Sequence, residues 1–532
     1  MAPSPMDGRT VVQPISSLIA SLPNAGSMHR TVDQFYDEAH SSMDNPAPNS
    51  ILGHSKAMGN RLGYFCIFVA LGLANVGDAA EIGSMGFLLA HYDFRTEIVQ
   101  GHDGLVAAAL YVGMLVGGIV AGPLCDMNGR RSVLLYGLFL NSGFGIGAVI
   151  SATPWQLILC RLCMGFGIGS VVSCLLALTS EHTPPRHRGF YLNFVSSFWT
   201  IGSIYVAAMA WVLFGKLNRS WRLYFLVNAL PSIVSFCLVL CFVPESARFF
   251  AIHGKHERAT KVANRIASSM GYDGNKLKVS EIQAHYPQNT KGVTGQHQPL
   301  TFREGLSRSC TNFSSLYQKE TRGRTCGVQM LWFFVSFGSG ICLWVARVFT
   351  ELSFVSHVYA MTLFFSLSSV PGVFVAGYIM DKMGRTALLT TTLVLTTSSL
   401  ALFAALTLYT DIAWLVVLSA CIFHSCLVLC WSALSVVTAE TFNTNIRSTA
   451  MGVCAASGRF ASILVHLAAA PLMDHRHPSV LLLLGTACFA LGAITSIVTA
   501  LQNKTGQPLP DCEAPVLKAN PLSKRTAETA RT

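Results

Sequence analysis

Gly122-Pro-Leu-Cys-Asp126-Met-Asn-Gly129-Arg130-Arg131 and Gly377-Tyr-Ile-Met-Asp381-Lys-Met-Gly384-Arg385 are two copies of one pattern, G-x-x-x-D-x-x-G-R. Each copy closes a long apolar stretch and opens a short basic turn. Gly129 and Gly384 suit a tight turn because glycine takes positive φ at little cost, and Gly122 suits close helix approach. Asp126 and Asp381 can satisfy helix ends and pair with Arg130, Arg131 and Arg385 across the loop. A single basic turn would be unremarkable, but two copies at corresponding places imply that the chain is built from two related halves.

Working outward from these turns, apolar stretches fall at 63–90, 105–124, 133–151, 156–178, 190–214 and 223–243. A second set falls at 326–349, 355–380, 388–409, 412–437, 449–472 and 479–501. Each is close to the roughly 20 residues that a bilayer core demands of a helix, and a helix satisfies its own backbone in lipid. The 532 residues are 52% hydrophobic and 12% charged, about half the charge density of a soluble domain. Mean hydropathy is +0.48. The expected fold is an all-α membrane protein with about twelve transmembrane helices in two pseudo-symmetric six-helix bundles. The halves span 63–248 and 326–502, joined by a cytoplasmic central loop, 249–325. A disordered cytoplasmic tail, 1–62, and a second tail, 503–532, complete the reading.

The basic residues orient the bundle. With both termini inside, the outer side holds Arg95, Lys216, Arg219, Arg222, Arg347 and Arg476, while Arg161 and Arg459 fall within spans; the rest of the 37 Lys and Arg lie inside. The net charge of +11 is thus mostly topology, and a nucleic-acid footprint would not alternate in this way. No apolar h-region lies near the start, and Asp33, Asp37, Glu38 and Asp44 make the first 60 residues too acidic for a transit peptide. Most of the 16 cysteines sit in spans, where Cys acts as a small hydrophobe. Cys160 and Cys163 lie on an apolar helix without a second pair, so no metal and no cofactor is expected.

Further segments carry a family resemblance. Arg161-Leu-Cys-Met-Gly165-Phe-Gly167-Ile-Gly169 reads R-x-x-x-G-x-G-x-G in the fourth span. Glu181-His-Thr-Pro-Pro-Arg186-His-Arg188-Gly189 follows it, Pro244-Glu245-Ser246-Ala247-Arg248 closes the sixth, and Glu440-Thr-Phe-Asn-Thr-Asn-Ile-Arg447 precedes the eleventh. Together with the repeated turn, these resemble the signatures of the major facilitator superfamily over about residues 60–500. Gly77-Asp78-Ala79-Ala80-Glu81 with Pro-Glu-Ser-Ala-Arg-Phe is most similar to the branch of synaptic-vesicle-two-related proteins and nicotinate carriers, beside the organic ion transporters. The resemblance implies alternating access, with Gly122, Asp126, Gly129, Arg130, Arg131, Glu181, Arg188, Glu245, Arg248, Asp381, Gly384, Arg385, Glu440 and Arg447 as gating-loop residues.

An ionised group at mid-membrane costs at least ~2.5–3.5 kcal/mol on insertion scales, so Asp78, Glu81, Arg161 and Arg459 need a reason to be there. Asp78 and Glu81 share a helix face. The resemblance to proton-coupled carriers implies an Asp78–Arg161 pair that protonation breaks. The same residues also fit a permanent ion pair, or direct cation binding by Asp78 or Glu81. Arg459 follows Gly452 by seven residues, as an arginine does in organic anion carriers, which favours an anionic substrate gripped by the guanidinium. The proline expected downstream is displaced, with His466 in its place and Pro471 later. Arg459 would otherwise pack helices or snorkel to headgroups. Trp199 and Trp332 are candidates to stack on a planar ligand, and His466 to contact it, although belt or packing roles suit all three.

The glutamine-rich helix 7 of hexose carriers is largely missing: Val328-Gln329-Met-Leu-Trp332 keeps one glutamine. No G-x-x-x-x-G-K-[ST] for nucleotide-driven pumping occurs. The expected protein is a non-enzymatic, secondary carrier of a small organic ion, preferably a carboxylate such as nicotinate. It would act as a monomer with a co-transported proton, in the plasma membrane or an internal vesicle or organelle membrane. A sugar or organic cation carrier, or a non-transporting sensor or trafficking protein, is the alternative.

Overall fold

A computed structural model describes residues 31–44, 51–272, 274–285, 313–318, 321–351, 357–379, 383–409, 412–442, 444–475 and 477–499. They form helices and turns, with no strand among the described residues. Of these helices, 12 are long and apolar enough to cross a membrane. Spans 1–6 are Leu62–Ala90, Asp103–Asn128, Arg130–Ile150, Pro154–His182, Pro185–Lys216 and Trp221–Phe242. Spans 7–12 are Arg322–Glu351, Val358–Ala376, Thr386–Tyr409, Ala413–Thr438, Thr449–Asp474 and Pro478–Val498.

The repeat seen in the turns is a repeat of packing. In the first half span 1 packs on 5 and 6, span 2 on 4, and span 3 on 4 and 6. In the second half span 7 packs on 11 and 12, span 8 on 10, and span 9 on 10 and 12. Partners shifted by six are what two related bundles require. The halves meet through span 2 on span 11, span 5 on span 8, and span 1 on span 7. Large apolar side chains such as Phe139, Trp155, Phe374 and Ile494 remain exposed around the outside. Apolar surface on that scale suits lipid and not water. Span 1 is the most enclosed, with 72% of its central window buried against 33% for spans 5, 8 and 10. A charged span is tolerable where protein surrounds it on every side.

Two departures from the sequence reading lie on the side that the basic residues assign to the cytoplasm. First, the segment expected as a disordered tail contains the helix Val32–Asp44. Thr31 and Gln34 cap it reciprocally: the Gln34 N–H donates to Thr31 Oγ1 at 3.1 Å and the Thr31 N–H to Gln34 Oε1 at 3.0 Å. Its face Val32, Phe35, Tyr36, Ala39 and His40 is buried, at the i, i+3, i+4, i+7, i+8 spacing of one helix side. Phe35 meets Tyr272 edge-on at 5.5 Å. Burial raises the pKa of the Tyr36 phenol, and the charge of Glu181 raises it further. Secondly, the central loop is partly helical, over Ala247–Ile252, His256–Ser269 and Val279–His285. Ala259, Ala263, Ile266 and Ala267 bury one face of its longest helix.

Candidate functional site

Span 1 owes its close neighbours to glycine. Gly77 lies against Ser232 of span 6, and Gly86 lies against the carbonyl of Leu343 in span 7, where no Cβ would fit. Between them stand Asp78 and Glu81, both wholly buried. One amide joins three spans: Asn141 Nδ2 of span 3 donates to Asp78 Oδ1 at 3.2 Å and to Ser232 Oγ at 3.1 Å. Asp78 Oδ2 and both Glu81 carboxylate oxygens have no hydrogen-bond partner among the described residues. Glu81 Oε1 lies over Gly145, close enough that a Cβ there would come within 3.0 Å.

The expected Asp78–Arg161 pair is not formed. Arg161, itself buried, spends one arm on the backbone: its Nη1 donates to the Glu81 carbonyl at 3.1 Å. The positive charge that bears most on Glu81 is that of Arg161, and the one that bears most on Asp78 is that of Arg459. Asp78 and Glu81 are 60° apart around a helix of 3.6 residues per turn. Asp78 turns to Asn141 and Ser232, and Glu81 faces Gly145. No ion pair within 4.0 Å joins either carboxylate to either arginine among the described residues.

The second half answers with a broken helix. Span 7 runs as α-helix over Arg322–Ser339, tightens to 3-10 turns over Gly340–Trp344, and resumes over Val345–Glu351. The break seats Trp344 fully inside, where its Nε1–H donates to His466 Nδ1 at 3.1 Å. The His466 ring lies 4.8 Å from the ring of Tyr111, in span 2 of the other half. Tyr111 in turn lies within the fields of both Arg161 and Arg459. Trp332 donates to Thr438 at 2.9 Å and meets Trp431 edge-on at 5.5 Å, beside Gly458. Trp199, by contrast, makes no ring contact with these groups and is 37% exposed. His424 is held by the Phe365 carbonyl at 2.8 Å and stacks on that ring at 4.2 Å, a packing role.

At the end of the bundle remote from the basic loops, the outer side by the charge reading above, four charges tie the halves together. Arg347 Nη1 donates to Asp103 at 2.6 Å and Nη2 to Asp474 at 2.6 Å. Arg95 reaches the same two carboxylates, at 3.2 Å each. Arg347 also lies over the Trp344 ring, 5.7 Å from its centroid. With Gly86 sealed against Leu343, the outer side is closed.

On the inner side the loop residues of the first half form one network. Arg130 pairs with Asp126 and Glu181, each at 3.3 Å. Glu245 accepts from the Arg131 N–H at 3.1 Å and packs onto Gly129, whose φ is 94°. Arg188 and Arg248 turn elsewhere, to Asp33 of the N-terminal helix. Gly122 has open space before it. In the second half Gly384 and Glu440 are half-buried. Asp381 lies outside the described residues, as do the side chains of Arg385 and Arg447.

Sequence reasoning passed over Asn141, Tyr111, Asp103 and Asp474. An asparagine in the apolar middle of the third span was the one available signal, since an amide in lipid needs a partner. The others are recognisable only through what they touch.

Two matched six-helix bundles enclosing carboxylates and arginines are the architecture of the major facilitator fold. The chain belongs to the sugar (and other) transporter family, whose model matches residues 65–507. It is 28% identical over 314 residues to synaptic vesicle glycoprotein 2A of Rattus norvegicus, covering 55% of this chain and 42% of that protein. It is likewise 28% identical over 321 residues to synaptic vesicle glycoprotein 2C of Rattus norvegicus, covering 56% and 44%. The chain thus spans less than half the length of these curated relatives. Among solved structures it is similar to the xylose transporter XylE from E. coli in a partially occluded inward-open conformation. There the TM-score is 0.65 at 17% identity, over 84% of this chain and 99% of that one. For the inward-open conformation the TM-score is 0.61 at 17% identity, over 85% and 99%. The chain is a multi-pass integral membrane protein.

Proposed function

We propose that this transporter carries a small organic anion, preferably a monocarboxylate such as nicotinate, with a proton, by alternating access around a mid-membrane site. The observation that carries the reading is the charge balance of the interior groups: two buried carboxylates, Asp78 and Glu81, against buried Arg161 and half-buried Arg459. In a low-dielectric site this set is neutral, so an incoming carboxylate leaves one negative charge in excess. Taking up one proton on Asp78 or Glu81 restores neutrality, and the lack of direct ion pairs leaves the guanidinium groups available to the substrate. Arg459 supplies the main grip, with Trp332 and His466 beside it. Trp199, exposed and apart from the cluster, is not assigned to the site. The protein would work as a monomer in the plasma or a vesicle membrane, and the loops around Arg130 and Glu245 would hold the inner side when it closes.

Uptake of a labelled carboxylate panel into proteoliposomes, with and without an inward proton gradient, tests the reading. Gradient-driven accumulation of at least one carboxylate is expected; accumulation that ignores the gradient would remove the coupling. A sugar cargo is the second reading, favoured by the name of the family and by the similarity to the proton:xylose symporter XylE, solved bound to 6-bromo-6-deoxy-D-glucose. Against it, Gln329 is already engaged, accepting from Tyr317 at 2.9 Å and donating to Ser457 at 3.3 Å.

A further inference from the structure

His466 is fully buried and makes one side-chain hydrogen bond among the described residues, with Trp344. That bond fixes a proton. An indole N–H can only donate, so His466 Nδ1 must offer its lone pair, and a neutral imidazole then carries its single proton on Nε2. Nε2 is buried and has no partner among the described residues. The ring is set by neighbours from both halves. Tyr111 lies against it at 4.8 Å, and Trp344 is gripped from its other side by Arg347, the residue that bridges the outer carboxylates. The charge of Arg161 reaches His466, and those of Arg161 and Arg459 both reach Tyr111. His466 thus presents, at its contact with Tyr111 between the two halves, a fixed N–H donor without a partner among the described residues.

We propose that His466, locked by Trp344 as the Nε2–H tautomer, is a specificity-determining donor that favours carboxylates bearing a second hydrogen-bond acceptor over those bearing a C–H or a donor at that place. This rests on the anion-carrier reading above. Trp344 is a positioning residue: it need not touch the substrate, but it decides which nitrogen of His466 faces it. A buried donor left unpaired is costly, so supplying its acceptor favours binding by between about fivefold and a hundredfold. A donor on the substrate would meet the His466 proton head-on and be rejected, which is the stronger form of discrimination.

The test compares the three pyridine monocarboxylates with benzoate, which has the same charge and outline and lacks the ring nitrogen. Binding to the purified full-length protein in lipid nanodiscs is measured by calorimetry. At least one pyridine isomer is expected to bind more tightly than benzoate by the margin above. The preference is expected to vanish in Trp344→Phe and His466→Phe and to survive in part in His466→Gln, which keeps an N–H. Equal binding of all four acids to the native protein overturns the specificity claim and leaves the anion reading standing; this comparison needs no variant. A preference that persists in His466→Phe overturns it as well. Binding of none of the four overturns both.

Discussion

Arg347 of the second half donates to Asp103 of the first at 2.6 Å, with both side chains 2% exposed. This is the most enclosed ion pair linking the two bundles among the described residues, and it lies where they must part if the outer side is to open. Removing one partner of a buried pair costs about 3–5 kcal/mol, because the other charge is left without compensation. Arg95 remains on Asp103, so Arg347→Gln should fall at the low end. The expected result is a shift toward the outward-open form. Ala470→Cys, placed where span 11 packs on Gly104, should then react faster with an impermeant thiol reagent from the outer side, in a background lacking reactive native cysteines. An unchanged labelling rate would mean that the pair does not hold the outer side closed.

Gly86 should tolerate no side chain. A Cβ would run into the Leu343 main chain, which cannot turn aside as a side-chain tip can. Gly86→Val is expected to cost about 1–3 kcal/mol in the outer-closed form by overpacking. Transport should fall while the protein remains folded and outward-open, which the same thiol labelling would report. Normal transport by Gly86→Val would contradict the tight contact.

Asp78→Asn keeps an acceptor for Asn141 and removes the charge that faces Arg459. Uptake driven by a proton gradient should be lost, while exchange of substrate across the membrane without a gradient persists. Glu81→Gln serves as the comparison: if it alone removes the gradient dependence, the coupling group is Glu81. If both variants still accumulate substrate, neither carboxylate couples.

The N-terminal helix fastens three elements: the start of span 5 and the segment after span 6 through Asp33, and the stretch just beyond the helix His256–Ser269 through Phe35. Phe35→Ala removes a wholly buried ring and should lose about 3–5 kcal/mol of docking energy. Hydrogen exchange should rise over 32–44 and also over 185–191 and 247–252. A rise confined to the helix itself would show that the loops hold without it.

The spans and the doubling of the chain were readable because bilayer thickness demands long apolar runs, and the turns were readable because glycine and charge recur at fixed spacing. The pairing of Asp126 with Arg130 across the turn was readable there too, whereas the joining of Glu181 and Glu245 to it was not. Which charges meet inside the bilayer was not readable either. Asp78 and Arg161 looked like partners, yet Asn141 occupies the first and a backbone carbonyl the second. Such choices depend on the rotation and depth of whole helices, which local spacing does not carry. The helix Val32–Asp44 was hidden for another reason: its apolar face is short, and the surrounding proline- and serine-rich segment masks it in any average over the tail.

The outer cluster contains two arginines, Arg95 and Arg347, and two aspartates, Asp103 and Asp474, drawn equally from the two halves. Each half contributes one cation and one anion. When the halves separate there, no net charge is carried through the membrane field, although a lone charge crossing it would feel about 2.3 kcal/mol per 100 mV. Opening of the outer side should therefore be indifferent to membrane potential. Any voltage dependence of the cycle would have to arise at mid-membrane, from the cargo and the groups that hold it.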